Sequence, residues 1–146
     1  MRALRDAWNR AAAALERWID LDFVLLVSRL GIAAIFFYSG RTKVSGLLTV
    51  TDSAVDLFRT EYRLPLVDPA ISAHVAAYAE HLFPILLVLG LLTRGAALAL
   101  LGMTAVIEAF VYPEAWPTHL SWAAPLLLLA VRGGGAFSLD GAFGLH

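Results

Sequence analysis

The sequence predicts an all-α integral membrane protein: a four-helix up-down bundle preceded by an N-terminal amphipathic interfacial helix. Three observations carry that expectation. The chain of 146 residues is 60% hydrophobic and only 16% charged, where soluble domains carry about 25% charge. Its apolar residues collect into blocks of roughly 20, the length a helix needs to cross ~30 Å of hydrocarbon. "PILLVLGLL" and "APLLLLAV" also lack the polar stripe that each helix of a soluble bundle would show.

The elements follow in order. In residues 1–20, Leu4, Trp8, Ala11, Leu15 and Trp18 recur at helical spacing, while Arg2, Arg5, Arg10 and Arg17 supply positive charge. Such a helix suits the headgroup layer, with docking on a partner protein as the alternative. The bundle, residues 21–132, has predicted spans at about 21–40, 70–92, 95–112 and 115–131. No A-x-A-like cleavage site follows the first apolar run, so that span is expected to stay in place. The external loop, 41–69, holds "DSAVDLFRTEY", a possible short helix with Val55, Phe58 and Tyr62 on one side. Pro65 and Pro69 then turn the chain back. The second and third spans are linked only by "TR", Thr93–Arg94, and short links favour antiparallel neighbours. The C-terminal cytoplasmic tail, 133–146, begins "GGGAFSLDG", too Gly-rich to prolong the last helix.

Arg2, Arg5, Arg10, Arg17, Arg94 and Arg132 fall on one side, and Arg41, Lys43, Arg59 and Arg63 on the other. That bias predicts a multi-pass protein with both termini inside. Tyr112, Trp116 and Trp122 fall where an outer aromatic belt would lie. Gly31, Ala33, Ala34, Gly90, Gly95, Ala96, Ala97, Ala99 and Gly102 are expected to let helices approach closely. A net charge of −1 gives no basic surface for nucleic acid. The absence of cysteine excludes disulfides, thiolate metal sites and thiol relays carried by this chain.

Charges inside the spans are the chemical signal. Arg29, Glu80 and Glu108 would together cost on the order of 8–10 kcal/mol if left unpaired in hydrocarbon. At ~1.5 Å per residue, Arg29 falls about 16 Å below Gly40, and Glu80 about 15 Å from Ala70 on a helix running the other way. Arg29 is thus expected to meet Glu80 and His81 near the midplane. Pro84 cannot bond the Glu80 carbonyl, which leaves an acceptor free beside them. A higher tier would gather His74, Glu108 and His119, capped by Tyr38, Ser39, Arg41 and Lys43. The plain reading of Arg29–Glu80 is a buried ion pair that fixes helix register; the functional one is a binding or proton-handling site. His74, Glu108 and His119 have ligand types suited to a divalent metal, although no H-x-x-x-H or E-x-x-H spacing supports one. Haem ligation by two of the histidines is a further reading.

"SRLGIAAIFFYSGRTKVSG", "AEHLFPILLVLGLLTR" and "AVRGGGAFSLD", in that order, resemble the DoxX family from about Val27 to Asp140. The matching positions are Arg29, Gly40, Lys43, Glu80, Arg94 and Asp140, and Ser39 stands where many members carry His. The resemblance implies a four-helix protein of the bacterial inner (cytoplasmic) membrane, of the kind named as an oxidoreductase or quinol-oxidase subunit beside redox or stress-response partners. Without its own redox centre, such a subunit would borrow electron chemistry from a bound cofactor or a partner chain. Three functions are therefore expected in competition. The first is a redox-linked subunit binding a quinone-like amphiphile, with Arg29, Glu80 and His81 at its head and Tyr38, Lys43, Pro84 and Glu108 lining the approach. The second is a non-catalytic scaffold for partner subunits, or a homo-oligomer, in the lipid bilayer. The third is metal or small-solute handling through His74, Glu108 and His119.

Overall fold

The computed structural model describes residues 1–145 and is mostly helical. Helix α1 spans Arg2–Trp18, α2 Leu21–Arg41, α3 Asp52–Thr60, α4 Pro69–Leu89, α5 Thr93–Phe110, α6 Trp116–Arg132 and α7 Leu139–Ala142. Between α2 and α3, Val44–Ser45 and Thr49–Val50 pair as a short antiparallel hairpin. Helices α2, α4 and α5 are each long and apolar enough to cross a membrane, and α6 has 17 residues.

Local chemistry sets the helix ends. Asp20, Thr51 and Asp68 accept hydrogen bonds from the first free amides of α2, α3 and α4, and Pro69 opens α4 at a position that needs no N–H donor. Gly90 ends α4 at φ +67°, a left-handed conformation that glycine adopts without a Cβ penalty. Helix α2 lies against α4 and α6, α5 lies against α4 and α6, and α3 covers α4. Leu25, Ile32, Ala33, Phe36, Leu87, Ala97, Leu100, Leu126 and Leu129 form the buried core. Their outward neighbours are also apolar: Val27, Leu30 and Ile35 on α2, Leu82, Ile85 and Val88 on α4, Leu98 on α5, and Leu120 and Leu127 on α6 are exposed. So continuous an apolar exterior suits lipid.

Helices α2 and α4 are offset along their length. A Cβ placed on Gly40 would come within 2.9 Å of the His81 ring and 3.0 Å of Glu80 Cβ. One placed on Gly90 would collide with Arg29 Nη1. Residues 29–40 of α2 therefore run beside 80–90 of α4; α4 overshoots by about three turns, or ~16 Å, and α2 by about two turns, or ~12 Å. The α4 overshoot is covered by α3. The α2 overshoot meets the C-terminal segment, where Asp22 Oδ1 accepts from the Ala136 amide at 2.9 Å.

Two expectations are corrected. The depth arithmetic took Ala70 as level with Gly40, whereas Gly40 is level with Glu80. Arg29 and Glu80 consequently lie at different heights, and no Arg29–Glu80 ion pair forms. Gly31, Gly95 and Gly102 have no atom within 4 Å of an added Cβ, so they do not mediate close helix approach; of the small residues expected to pack, Ala33, Ala96 and Ala97 lie in the core cluster. Helix α1 carries no buried residue, with Leu4, Trp8 and Trp18 all exposed.

Candidate functional site

The Glu80 carboxylate finds its counter-ion just beyond the end of α2. Lys43 Nζ lies 2.7 Å from Glu80 Oε2, and both residues are 4% exposed. The same ammonium donates to Ser39 O at 3.2 Å and Ser39 Oγ at 3.0 Å, and Ser39 Oγ donates to Glu80 Oε1 at 3.2 Å. Lys43 is held from both directions. Its amide donates to the Gly40 carbonyl at 3.0 Å, and its carbonyl accepts from the Thr51 amide at 3.1 Å. Thr51 is itself the N-cap of α3. The hairpin and α3 thus fold the lysine back towards α4. Arg41 closes the hairpin turn, donating to Leu47 O at 3.0 Å and Gly46 O at 2.9 Å.

Lys43 and Glu80 form the charged part of a cavity of about 440 Å³ between α3, α4 and α5. Its other walls are mainly apolar: Val75, Ala76, Ala79 and Phe83 from α4, and Ala99, Met103, Val106 and Ile107 from α5. Phe58 and Tyr62 close its α3 side, edge to face at 5.3 Å, and Tyr62 meets Tyr112 at 5.6 Å. Tyr112 also donates to Glu61, tying the end of α5 to the end of α3. A volume of this size lies in the range of small-molecule sites, and an apolar wall with a few fixed polar groups is their usual composition.

His81 adjoins Glu80 in sequence but turns to the α2 side. Its Nδ1 donates to the Ala77 carbonyl at 2.6 Å, and its ring stands edge to face with Phe37 at 5.3 Å. Pro84 and Tyr38 line a separate shallow groove between α2 and α4, where Tyr38 is 73% exposed. Neither lines the cavity of Lys43 and Glu80.

Arg29, 1% exposed, belongs to a different cluster. Its Nη2 donates to the Phe137 carbonyl at 2.5 Å. Asp140 accepts from the Leu92 and Thr93 amides, both at 2.8 Å, and its own amide donates to Gly90 O at 2.8 Å. Ser138 caps α7 by accepting from the Gly141 amide at 3.0 Å. The C-terminal segment is therefore clamped beneath the α4–α5 turn. Burial pushes the Asp140 carboxyl up, but the Thr93 and Leu92 hydrogen bonds and the Arg29 charge outweigh it and hold it below its ordinary value.

The expected metal tier does not assemble. His119 Nδ1 donates to Glu108 Oε2 at 2.5 Å, lining a groove of about 290 Å³ with Thr104 and Trp116. His74 is instead exposed on α4, bonded to the Ala70 carbonyl at 2.7 Å and stacked edge to face with Tyr78. Among the described residues, no group of three or more His, Cys, Asp or Glu side chains could hold a metal ion.

With this geometry in view, the sequence comparisons settle the kinship. The DoxX family model matches residues 24–113, more than half of the chain. The chain belongs to the DoxX family. This DoxX-family chain is also 31% identical over 127 residues to a Haemophilus influenzae protein described as uncharacterized, covering 80% of each. No solved structure matches. Family membership and three sufficiently long apolar helices mark a membrane protein. Gly40, Lys43 and Glu80, singled out separately in the sequence, come together at one point inside the matched region. Ser138 and Asp140 lie beyond it.

Proposed function

We propose that this DoxX-family protein is a redox-linked subunit of the bacterial inner membrane. It would take a small amphiphile with a quinone-type ring into the cavity between α3, α4 and α5. The supporting observation is an apolar chamber of about 440 Å³ whose charged side chains are one fully buried ion pair, Lys43–Glu80. An apolar ligand body gains from such walls, while the pair fixes the orientation of a polar head. In this reading α2, α4, α5 and α6 cross the membrane as an up-down bundle with both ends on the cytoplasmic side. Helix α1 lies in the headgroup layer, its arginines toward anionic lipid. Electron transfer would come from the ligand and from partner subunits, since this chain contributes binding, orientation and electrostatics. A second reading, a scaffold for redox or stress-response partners, draws on the exposed Leu4, Trp8 and Trp18 of α1.

The test is equilibrium binding of a decyl-substituted hydroquinone and its quinone to protein reconstituted in lipid nanodiscs. Saturable binding of at least one form is expected, and Ala79→Phe, which fills the cavity beside the ion pair, should abolish it. If neither form binds, or if Ala79→Phe leaves binding unchanged, the cavity is not a ligand site.

A further inference from the structure

The hydrogen-bond inventory of the buried pair restricts what its ligand can be. A lysine ammonium has three N–H donors and no acceptor. In this site all three are spent, on Glu80 Oε2 at 2.7 Å, Ser39 Oγ at 3.0 Å and Ser39 O at 3.2 Å. The Ser39 hydroxyl has one proton, and it is spent on Glu80 Oε1 at 3.2 Å. Every donor of the Lys43–Ser39–Glu80 cluster is thus committed within the cluster. What remains is acceptor capacity, because each carboxylate oxygen takes one of these bonds and can accept more.

From this we infer that the ion-pair end of the cavity selects a neutral head group that presents a hydrogen-bond donor: a phenol, a hydroquinone or an alcohol. A quinone carbonyl or a carboxylate brings only lone pairs. It would face the Glu80 oxygens with nothing between them to share, and could be accommodated only by breaking a bond that Lys43 already makes. The inference rests on the cavity being a ligand site and specifies the chemistry of its occupant. Ser72 and Tyr62 also line the cavity. Ser72 Oγ is buried without a partner and stands eight residues from Glu80 along α4, about 12 Å away, so it can serve the opposite end of a ligand but not the group held by the ion pair.

Four probes carrying the same decyl tail test the idea: a hydroquinone, the corresponding quinone, the hydroquinone dimethyl ether and a benzoate. Binding to the full-length protein in nanodiscs is measured under anaerobic conditions. A hydrogen bond to a charged group carries roughly tenfold or more in affinity. The hydroquinone should therefore bind at least tenfold more tightly than each of the other three. Ser39→Ala removes one acceptor from Lys43 and so frees an N–H; it should narrow the hydroquinone-to-quinone ratio by strengthening quinone binding. Retention of the helical circular dichroism spectrum verifies the fold of that variant, and Glu80→Gln, which introduces an amide donor at the same place, provides an independent narrowing of the ratio. A wild-type preference below tenfold overturns the donor rule while leaving the cavity as a ligand site. A ratio that neither substitution narrows overturns it as well. Absence of binding by all four probes removes both the rule and the cavity reading beneath it.

Discussion

Lys43 and Glu80 define the residue scale. Each charge would be expensive alone in a low-dielectric interior, and removing one partner of a buried pair typically costs about 3–5 kcal/mol. Lys43→Met is therefore expected to destabilise the protein by about that amount, measured by denaturant unfolding in mixed micelles. Lys43→Met combined with Glu80→Leu should unfold later than Lys43→Met alone, because no orphan charge remains. A double variant weaker than the single one would contradict this account. The sequence marked both residues but paired Glu80 with the wrong cation. Rise-per-residue arithmetic works along a helix, and Lys43 lies beyond the end of one. A hairpin with two-residue strands is too short to show any alternation that would reveal it.

At the element scale, the α4–α5 turn shows how backbone geometry and side-chain capping share one task. Leu92 sits at φ +50°, a left-handed conformation that disfavours a branched residue. Asp140 holds the Leu92 and Thr93 amides in place from the far end of the chain. Asp140→Ala should lower the unfolding free energy by about 2–4 kcal/mol, since two hydrogen bonds to a charged acceptor are lost. The Asp140 carboxyl has a folded pKa below its unfolded one. Its stabilisation is therefore complete above the unfolded pKa and is lost as pH falls through the folded value. Acid titration of wild type and Asp140→Ala should show the two stabilities converging at low pH. The helical glycines give the opposite expectation. Gly31, Gly95 and Gly102 face open space, and alanine gains up to about 1 kcal/mol over glycine in a helix interior. Each Gly→Ala change there should leave the melting temperature unchanged or raise it, whereas Gly90→Ala, at φ +67° against Arg29, should lower it. The "SLD" run could be read as a terminal motif, but only the fold reveals that its aspartate caps a turn 48 residues away in sequence.

At the scale of the whole molecule, apolar blocks are the most legible feature, because ~20-residue runs without a polar stripe have few alternatives to helices in lipid. Relative height is the least legible, since nothing in a block of Leu and Ala records which residue of its neighbour it meets. A chain without cysteine is convenient here. Single cysteines at Arg10 and Asp56, treated with a membrane-impermeant maleimide on sealed vesicles of each orientation, should label from opposite sides. Labelling with the two sides exchanged would reverse the proposed orientation, and labelling of both from one common side would show that α2 does not span between them.

The position of Lys43 in a loop also bears on how the chain is made. On the proposed topology, Glu80 would be buried without its counter-ion until the loop that carries Lys43 packs against α4. Correct packing of that loop and neutralisation of the buried carboxylate would then be coupled events in the assembly of the chain. Lesions in that loop should then show up as insertion or turnover defects in living cells.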